Sequence, residues 1–275
     1  MPEGPEVKTN AAFLQSALEG KVIKDIEIIS GRYVTHGPFK GHNNFVYELP
    51  AKVSLVDCKG KFIYFLFEDT SSLWSTLGMS GQWQNHKTKH TRVVLTTEGG
   101  RKVYFNDIRN FGTLKYATNL YELQDKLQKL GVDILCERYV KDPKEFVELF
   151  SAAIKSKPKK TIAENIMNQN LVAGVGNYLK AEILYHAGVS PHRICGELEE
   201  HEIKALALFS QMIAWKSYES GGATISTYRK ENGEEGLYNR RFVVYNQKHD
   251  LKGNEVIKET TKDKRTTHWV PAVQV

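Results

Sequence analysis

Cysteine is scarce in this chain. Three occur among 275 residues, Cys58, Cys136 and Cys195, far apart and in no CxxC spacing. The pattern argues against a disulfide framework and fits a reducing, intracellular compartment. No cysteine follows Cys195, so the C-terminal region brings no thiolate to a metal. Long apolar runs are also missing. No stretch approaches the roughly 20 residues of a membrane span, and the first residues lack the apolar core of a signal peptide. The expectation is a soluble intracellular protein with no membrane association. There is no internal repeat and no low-complexity tract. Acid is the rarer charge, 32 Asp and Glu against 38 Lys and Arg, giving +6 and a pI near 9.0. That balance suits a polyanionic partner without requiring one.

What is present describes a globular protein. Hydrophobic residues make up 41% and charged residues 25%, enough for one large domain or two ordinary ones, each with a core. Residues 3–18 place Val7, Ala11, Leu14 and Leu18 on one helical face, and Gly20 ends the run. From 21 to 116 the texture is that of short strands. KVIKDIEII, FIYFLF, RVVLTT and KVYFND are rich in β-branched and aromatic residues and are separated by turn formers, the pattern of a sandwich or barrel. After Tyr116, LYELQDKLQKLG, DPKEFVELFSAAIKS and ELEEHEIKALALFSQMIAWKSYES carry apolar residues three and four apart, as helices do, with DILCERYVKD as a linker. The tail returns to strands: RFVVYNQ, a turn near Lys252-Gly253-Asn254, EVIKET, then RTTHWVPAVQV.

The opening MPEGPEV places a proline and two acids, Glu3 and Glu6, in the first residues. One reading is purely structural: proline is favoured in a first helical turn, and acids there complement the helix dipole. The other is chemical. A small second residue permits removal of the initiator Met, which makes Pro2 the terminus and a secondary amine. An α-amino group has a pKa of about 8, far below lysine, so much more of it is nucleophilic near neutrality. Its attack on an aldehyde-like carbon gives an iminium, an electron sink, and Glu3 stands beside it to move protons.

A second stretch, NQNLVAGVGNYLKAEILYHAGVSP, reads as helix end, glycine turn and second helix. Asn177 is placed as the N-cap, and Gly188 with Pro191 as the stop. A helix N-terminus after such a turn suits a phosphate. A generic helical hairpin reads the same way.

Taken together, PEGPEV, CKGKFIYFLF, TLGMSGQW, FNDIRNFGTL and LVAGVGNYLKAEILYHAGVSP resemble, in order and approximate spacing, the formamidopyrimidine-DNA glycosylase and endonuclease VIII (Fpg/Nei) family of base-excision repair enzymes. The resemblance runs nearly end to end. It implies an α+β architecture: a two-layer β-sandwich with an N-terminal helix over 1–120, a linker over 121–136, a helix–two-turn–helix domain over 137–240 and a β-hairpin over 241–275. It implies a bifunctional glycosylase and abasic-site lyase that needs no cofactor, and the cysteine-free tail argues against a metal. Pro2 would be the Schiff-base nucleophile at the sugar C1′ and Glu3 the acid that opens the ribose, with Glu6 supporting that site and grouped with the DNA-binding residues. Lys61 would contact phosphate beside the lesion and assist elimination. Met79, Arg109 and Phe111 would fill the gap left by an extruded base. His90 and Asn177 would contact the DNA backbone.

Many members of that family end in a four-cysteine zinc finger. This tail, with isolated His249 and His268, resembles the zincless finger instead. Arg265, in KRTTHW, matches the finger arginine that assists the second elimination, and Trp269, Val270 and Val273 are expected to pack where a metal would brace the hairpin. Thr76 stands where relatives often have His. Ala163 falls about where bacterial members carry a lysine near the base. KSKPKK, residues 155–160, resembles a weak nuclear signal, although such runs are mostly solvated. The implied partner is duplex DNA with oxidised bases or abasic sites, single-stranded DNA being a further candidate, acted on by a monomer that is nuclear in a eukaryote and cytoplasmic otherwise. Lesion cues conflict. GGATISTYRKENGEEGLYNRR resembles the purine-cleaving branch, whereas the missing zinc resembles members that favour pyrimidines and hydantoins. The expectation is broad oxidised-base specificity with 8-oxoguanine a poor substrate. The rival readings are a non-catalytic damaged-DNA-binding protein using the same surface, and an unrelated β-plus-helical binding protein.

Overall fold

The computed structural model describes residues 2–223 and 236–275. The described residues form two compact units. One holds Pro2, Glu6–Gln128, Ala223 and Gly236; the other holds Glu3–Pro5, Lys129–Gly222 and Leu237–Val275. Among the described residues no helix is long and apolar enough to cross a membrane.

In the first unit, α1 (Gly4–Leu18) is followed by β1 (Val22–Ile28), two short helices α2 (Arg32–Thr35) and α3 (His42–Tyr47), and seven further strands. These are β2 (Ala51–Lys59), β3 (Phe62–Phe67), β4 (Ser72–Thr76), β5 (Gly81–Gln84), β6 (Thr91–Thr97), β7 (Lys102–Asp107) and β8 (Thr113–Ala117); α4 (Leu120–Gln128) closes the unit. The eight strands run in the order β5-β7-β6-β1-β2-β3-β4-β8, each neighbour antiparallel. Between β1 and β2 only Val22↔Lys52 and Ile23↔Ala51 pair, so the sheet folds over at that seam. Its two halves face each other: Trp83 of β5 meets Phe65 of β3 edge to face at 5.8 Å, and its indole N–H donates to Ser75 of β4 at 3.0 Å. This is the expected two-layer sandwich.

The expected helical face is buried as a row, with Val7, Ala11, Leu14 and Leu18 all inside the sandwich core. Asn10 joins that helix to the edge strand β5. Its amide donates to the Trp83 carbonyl at 2.8 Å and accepts from the Trp83 N–H at 2.9 Å, satisfying an edge that would otherwise stay open.

The second unit is helical. β9 (Val132–Asp133) precedes α5 (Arg138–Lys141), α6 (Pro143–Lys155) and α7 (Ile162–Met167). After β10 (Val172–Ala173), which pairs parallel with β9, come α8 (Asn177–Ala187) and α9 (Glu200–Glu219). Local chemistry explains the helix ends. Asp142 accepts from the Glu145 N–H ahead of Pro143, Thr161 and Glu164 form a reciprocal capping box, and Gly188 stops α8 in the left-handed region at φ 71°. The tail ends in β11 (Ile257–Thr260) and β12 (Thr266–Trp269), an antiparallel hairpin.

One expectation for this region fails. RFVVYNQ is not a strand, because the N–H groups of Val243, Val244 and Tyr245 turn onto the carboxylate of Glu182 at 2.9–3.2 Å. A β ladder would need those donors pointing to a neighbouring strand. The paired strands turn at Thr261–Arg265, whereas the turn near Lys252–Asn254 is closed by the Asp250 carboxylate, which accepts from the Lys252 and Asn254 N–H groups at 2.8 Å. Glu182 lies within α8, whose residues Tyr178–Tyr185 are all buried. Burial pushes its carboxyl above the ordinary range, and the three N–H groups pull the other way. Glu182→Ala strands those three donors, and we expect it to cost about 3–5 kcal/mol of stability in urea unfolding.

Candidate active site

The centre of the second unit is the Glu3 carboxylate, which is 3% exposed. One oxygen accepts from the N–H of Gly176 at 2.9 Å and of Leu179 at 3.2 Å, and the other accepts from Tyr178 at 3.0 Å. The glycine turn and the first turn of α8 therefore form an anion-binding nest, as the turn chemistry predicts. Its occupant differs from the expectation. The anion is the chain's own Glu3, not a phosphate. Gly4 extends the arrangement, its N–H donating to the Gly174 carbonyl at 2.9 Å.

Gly176 has no room for a side chain, since a Cβ there would lie 2.2 Å from the Glu3 carboxyl carbon. Gly176 itself is the N-cap of α8, and Asn177 is the first helical residue, making no side-chain cap. Among the described residues the Asn177 side-chain oxygen is buried without a hydrogen-bond partner. The expected N-cap role is thus corrected: an extended Gly176 at φ −129° takes that place and lets Glu3 approach.

In the first unit, Pro2 is buried one peptide bond before Glu3. Glu6 is 1% exposed, and its carboxylate accepts from the Ala223 N–H at 2.7 Å. That bond fixes the chain at Ala223. The GGATISTYRKENGEEGLYNRR reading falls largely on residues 224–235, outside the described residues. Lys61 sits half-buried in the two-residue turn joining β2 to β3. His90 is half-buried in the turn before β6, its N–H donating to Thr88 Oγ1 at 3.1 Å.

Met79, Arg109 and Phe111 lie on two loops that one buried acid joins. Asp107 Oδ1 accepts from the Ser80 hydroxyl at 2.6 Å and Oδ2 from the Gly112 N–H at 2.7 Å. Ser80 Oγ in turn accepts from the Arg109 N–H at 2.8 Å. Gly78, at φ 58°, packs so closely that a Cβ would meet the Phe111 carbonyl carbon at 2.6 Å. The outcome is three exposed side chains on a rigid base. Met79 is 38% and Phe111 54% exposed, and the Arg109 guanidinium stands 5.5 Å from the Phe111 ring centroid. The sequence reading missed Asp107 and Ser80. The available signal was a strand, KVYFND, ending in an acid beside a loop that carries exposed aromatic and basic residues.

In the hairpin, Arg265 is exposed at the tip between β11 and β12. Val270 packs with Val243, Val244, Val256, Ala181 and Tyr185, and Val273 covers that cluster, so these two brace the finger as expected, whereas Trp269 lies outside the cluster. The Trp269 indole N–H donates to Glu259 at 2.6 Å. His268 is 4% exposed and meets the Tyr245 ring at 5.1 Å. Burial, then Lys258 and Lys180, hold its pKa below the ordinary histidine value; burial, then Lys216, does the same for His186. Both are therefore easier to protonate unfolded than folded. Stability from these groups is intact above about pH 6.5 and is lost progressively as pH falls from there towards the folded values. Thermal melts between about pH 7.5 and 5 are expected to show that decline, and His268→Phe is expected to flatten it. At the two departures, Thr76 bonds Thr113 hydroxyl to hydroxyl at 2.7 Å, and Ala163 is fully buried in α7, so neither presents a basic group.

Sequence models of the formamidopyrimidine-DNA glycosylase N-terminal, H2TH and C-terminal domains match residues 1–114, 139–229 and 238–275. Formamidopyrimidine-DNA glycosylase of Prochlorococcus marinus is 32% identical over the whole of both chains. That of Shouchella clausii is 29% identical over 100% of this chain and 99% of its own. The crystal structure of the MutM (Fpg) protein from Thermus thermophilus superposes with a TM-score of 0.83 at 28% identity, covering 99% of this chain and 98% of that one. A Lactococcus lactis Fpg mutant in complex with Fapy-dG-containing DNA gives 0.84 at 27%, covering 99% of each. The three domain matches and the identity over the full length of the chain agree, and the chain belongs to the formamidopyrimidine-DNA glycosylase family of base-excision repair proteins.

Proposed function

We propose that this protein is a bifunctional DNA glycosylase and abasic-site lyase that excises oxidised bases through the Pro2 amine and nicks the strand by β,δ-elimination. The observation that carries the reading is Glu3: a buried carboxylate, next in the chain to Pro2, held by three backbone N–H groups. A DNA-binding protein needs no acid fixed there, and a proton-transfer catalyst does.

With Met1 removed, the Pro2 nitrogen attacks the sugar C1′. The N–C1′ bond forms as the glycosidic bond breaks, and the base leaves and takes a proton from water. The Glu3 carboxylate accepts the proton shed by the Pro2 nitrogen and passes it to the ring oxygen, the C1′–O4′ bond breaks, and the nitrogen is left as an iminium at C1′. Loss of a proton from C2′ expels the 3′ phosphate. Loss of a second proton, from C4′, expels the 5′ phosphate, and water hydrolyses the remaining iminium to return the free Pro2 amine. Lys61 and Arg265 are assigned to the phosphates flanking the lesion, and His90 and Asn177 to the backbone. Met79, Arg109 and Phe111 are assigned to the space vacated by the flipped nucleotide, which the rigid Asp107–Ser80 base supports. The division of labour follows the proposed domains: a catalytic sandwich over 1–120, a linker over 121–136, a helix–two-turn–helix domain over 137–240 and a zincless finger over 241–275.

The relatives' names and the Fapy-dG complex support formamidopyrimidines as substrates, and 8-oxoguanine is proposed to be cut more slowly. Single-turnover reactions on duplexes carrying a formamidopyrimidine, thymine glycol, a hydantoin, 8-oxoguanine or an abasic site test this. The expected products carry phosphate at both new ends. Binding without cleavage overturns the enzyme reading, and 8-oxoguanine excised as fast as thymine glycol overturns the specificity.

A further inference from the structure

Lys180 is the most unusual charge in the molecule. It lies in the first turn of α8 with its side chain 0% exposed, and its Nζ donates to Asp263 Oδ2 at 2.5 Å, the Asp263 side chain being 5% exposed. Asp263 belongs to the hairpin turn, in the run Lys262-Asp263-Lys264-Arg265. Its other oxygen accepts from the Thr261 hydroxyl at 2.6 Å and from the Arg265 N–H at 3.2 Å. The Arg265 carbonyl accepts from the Thr261 N–H at 3.1 Å, and Lys264, at φ 59°, closes the turn with its N–H on the Thr261 carbonyl at 2.8 Å. A single carboxylate therefore ties the Arg265 main chain to α8, while the arginine side chain stays exposed.

We infer that Lys180, acting through Asp263, is a positioning residue for Arg265 in the second elimination; this rests on the role proposed for Arg265. A buried ion pair contributes little to stability compared with apolar residues of the same volume, and its best-attested use is to fix one arrangement among several. The pair also turns inward the one acid of a basic tip, where an exposed carboxylate would oppose a DNA phosphate. The same helical turn holds Glu3, through the N–H groups of Tyr178 and Leu179. One turn of α8 thus mounts both the acid that opens the ribose and the arginine that acts on the phosphate.

The test is the ratio of δ- to β-elimination product on an abasic duplex in a single turnover. A smaller folded fraction lowers both products alike and leaves that ratio unchanged, so the ratio separates positioning from mere stability. Lys180→Met, Asp263→Leu and the double variant are compared with Arg265→Ala. The double variant removes both charges and guards against a misfolded single variant. We expect the ratio to fall about tenfold or more in all four. A drop in Arg265→Ala with an unchanged ratio in the double variant overturns the positioning role and leaves the Arg265 assignment standing. Recovery of the ratio in the double variant after its loss in Lys180→Met also overturns it, because Arg265 is then held in place without the pair and the loss came from the Asp263 carboxylate left unpaired. An unchanged ratio in Arg265→Ala overturns the Arg265 assignment and this inference with it.

Discussion

Glu3→Gln is expected to lower excision of an oxidised base by about 10²–10⁴-fold, the range typical of a positioned acid–base group. The nest explains why so conservative a change is severe. All three backbone groups around the side chain are donors. A carboxylate accepts from all of them, whereas an amide offers one oxygen and turns its NH₂ against a remaining N–H. The variant therefore loses the group that takes up and passes on the proton and also leaves a buried donor unpaired, at a cost of about 1–3 kcal/mol. Urea unfolding measures the second effect separately from the first. Activity within a few fold of wild type would remove Glu3 from the chemistry.

The second large effect comes from a residue with no chemistry of its own. Gly176→Ala is expected to reduce excision about 100-fold or more. The backbone there is extended at φ −129°, a conformation any residue adopts, so the substitution introduces no backbone strain. The added Cβ would lie 2.2 Å from the Glu3 carboxyl carbon and 2.4 Å from Oε1. A free side-chain end would swing away cheaply. This one is held by three N–H groups and can yield only by losing them. The variant is expected to fold and to bind abasic duplex while excision falls. Near-wild-type excision would show that the position of the carboxylate does not matter to the reaction.

Much of this architecture is legible in the sequence, for identifiable reasons. The α1 face, the strands FIYFLF and RVVLTT and the Gly188 stop follow from local periodicity and turn chemistry, and each appears where expected. Strand β2, AKVSLVDCK, escapes such a reading because its burial is irregular and charged residues interrupt it. RFVVYNQ misleads in the opposite sense. Its β-branched residues suggest a strand, but a glutamate some sixty positions earlier captures its donors. Tertiary contacts of this kind leave no local trace. The site divides in the same way. The GVGN turn announces an anion nest, and nothing near it announces that Glu3 fills the nest. Lys180 and Glu182 carry a signal of their own: two opposite charges in the otherwise apolar YLKAEILY run require buried partners, and the partners prove to be the finger turn and the segment before it.

Amine catalysis by Pro2 is the centre of the account. Its most direct test is borohydride trapping on a duplex with an abasic site or thymine glycol, using protein whose terminus is verified by mass as Pro2. Borohydride reduces an iminium to a stable bond, so the account predicts a protein–DNA adduct whose N-terminal peptide carries the sugar on the Pro2 nitrogen. Protein with that verified terminus that binds the duplex and yields no adduct, or an adduct mapped to a lysine, would contradict it.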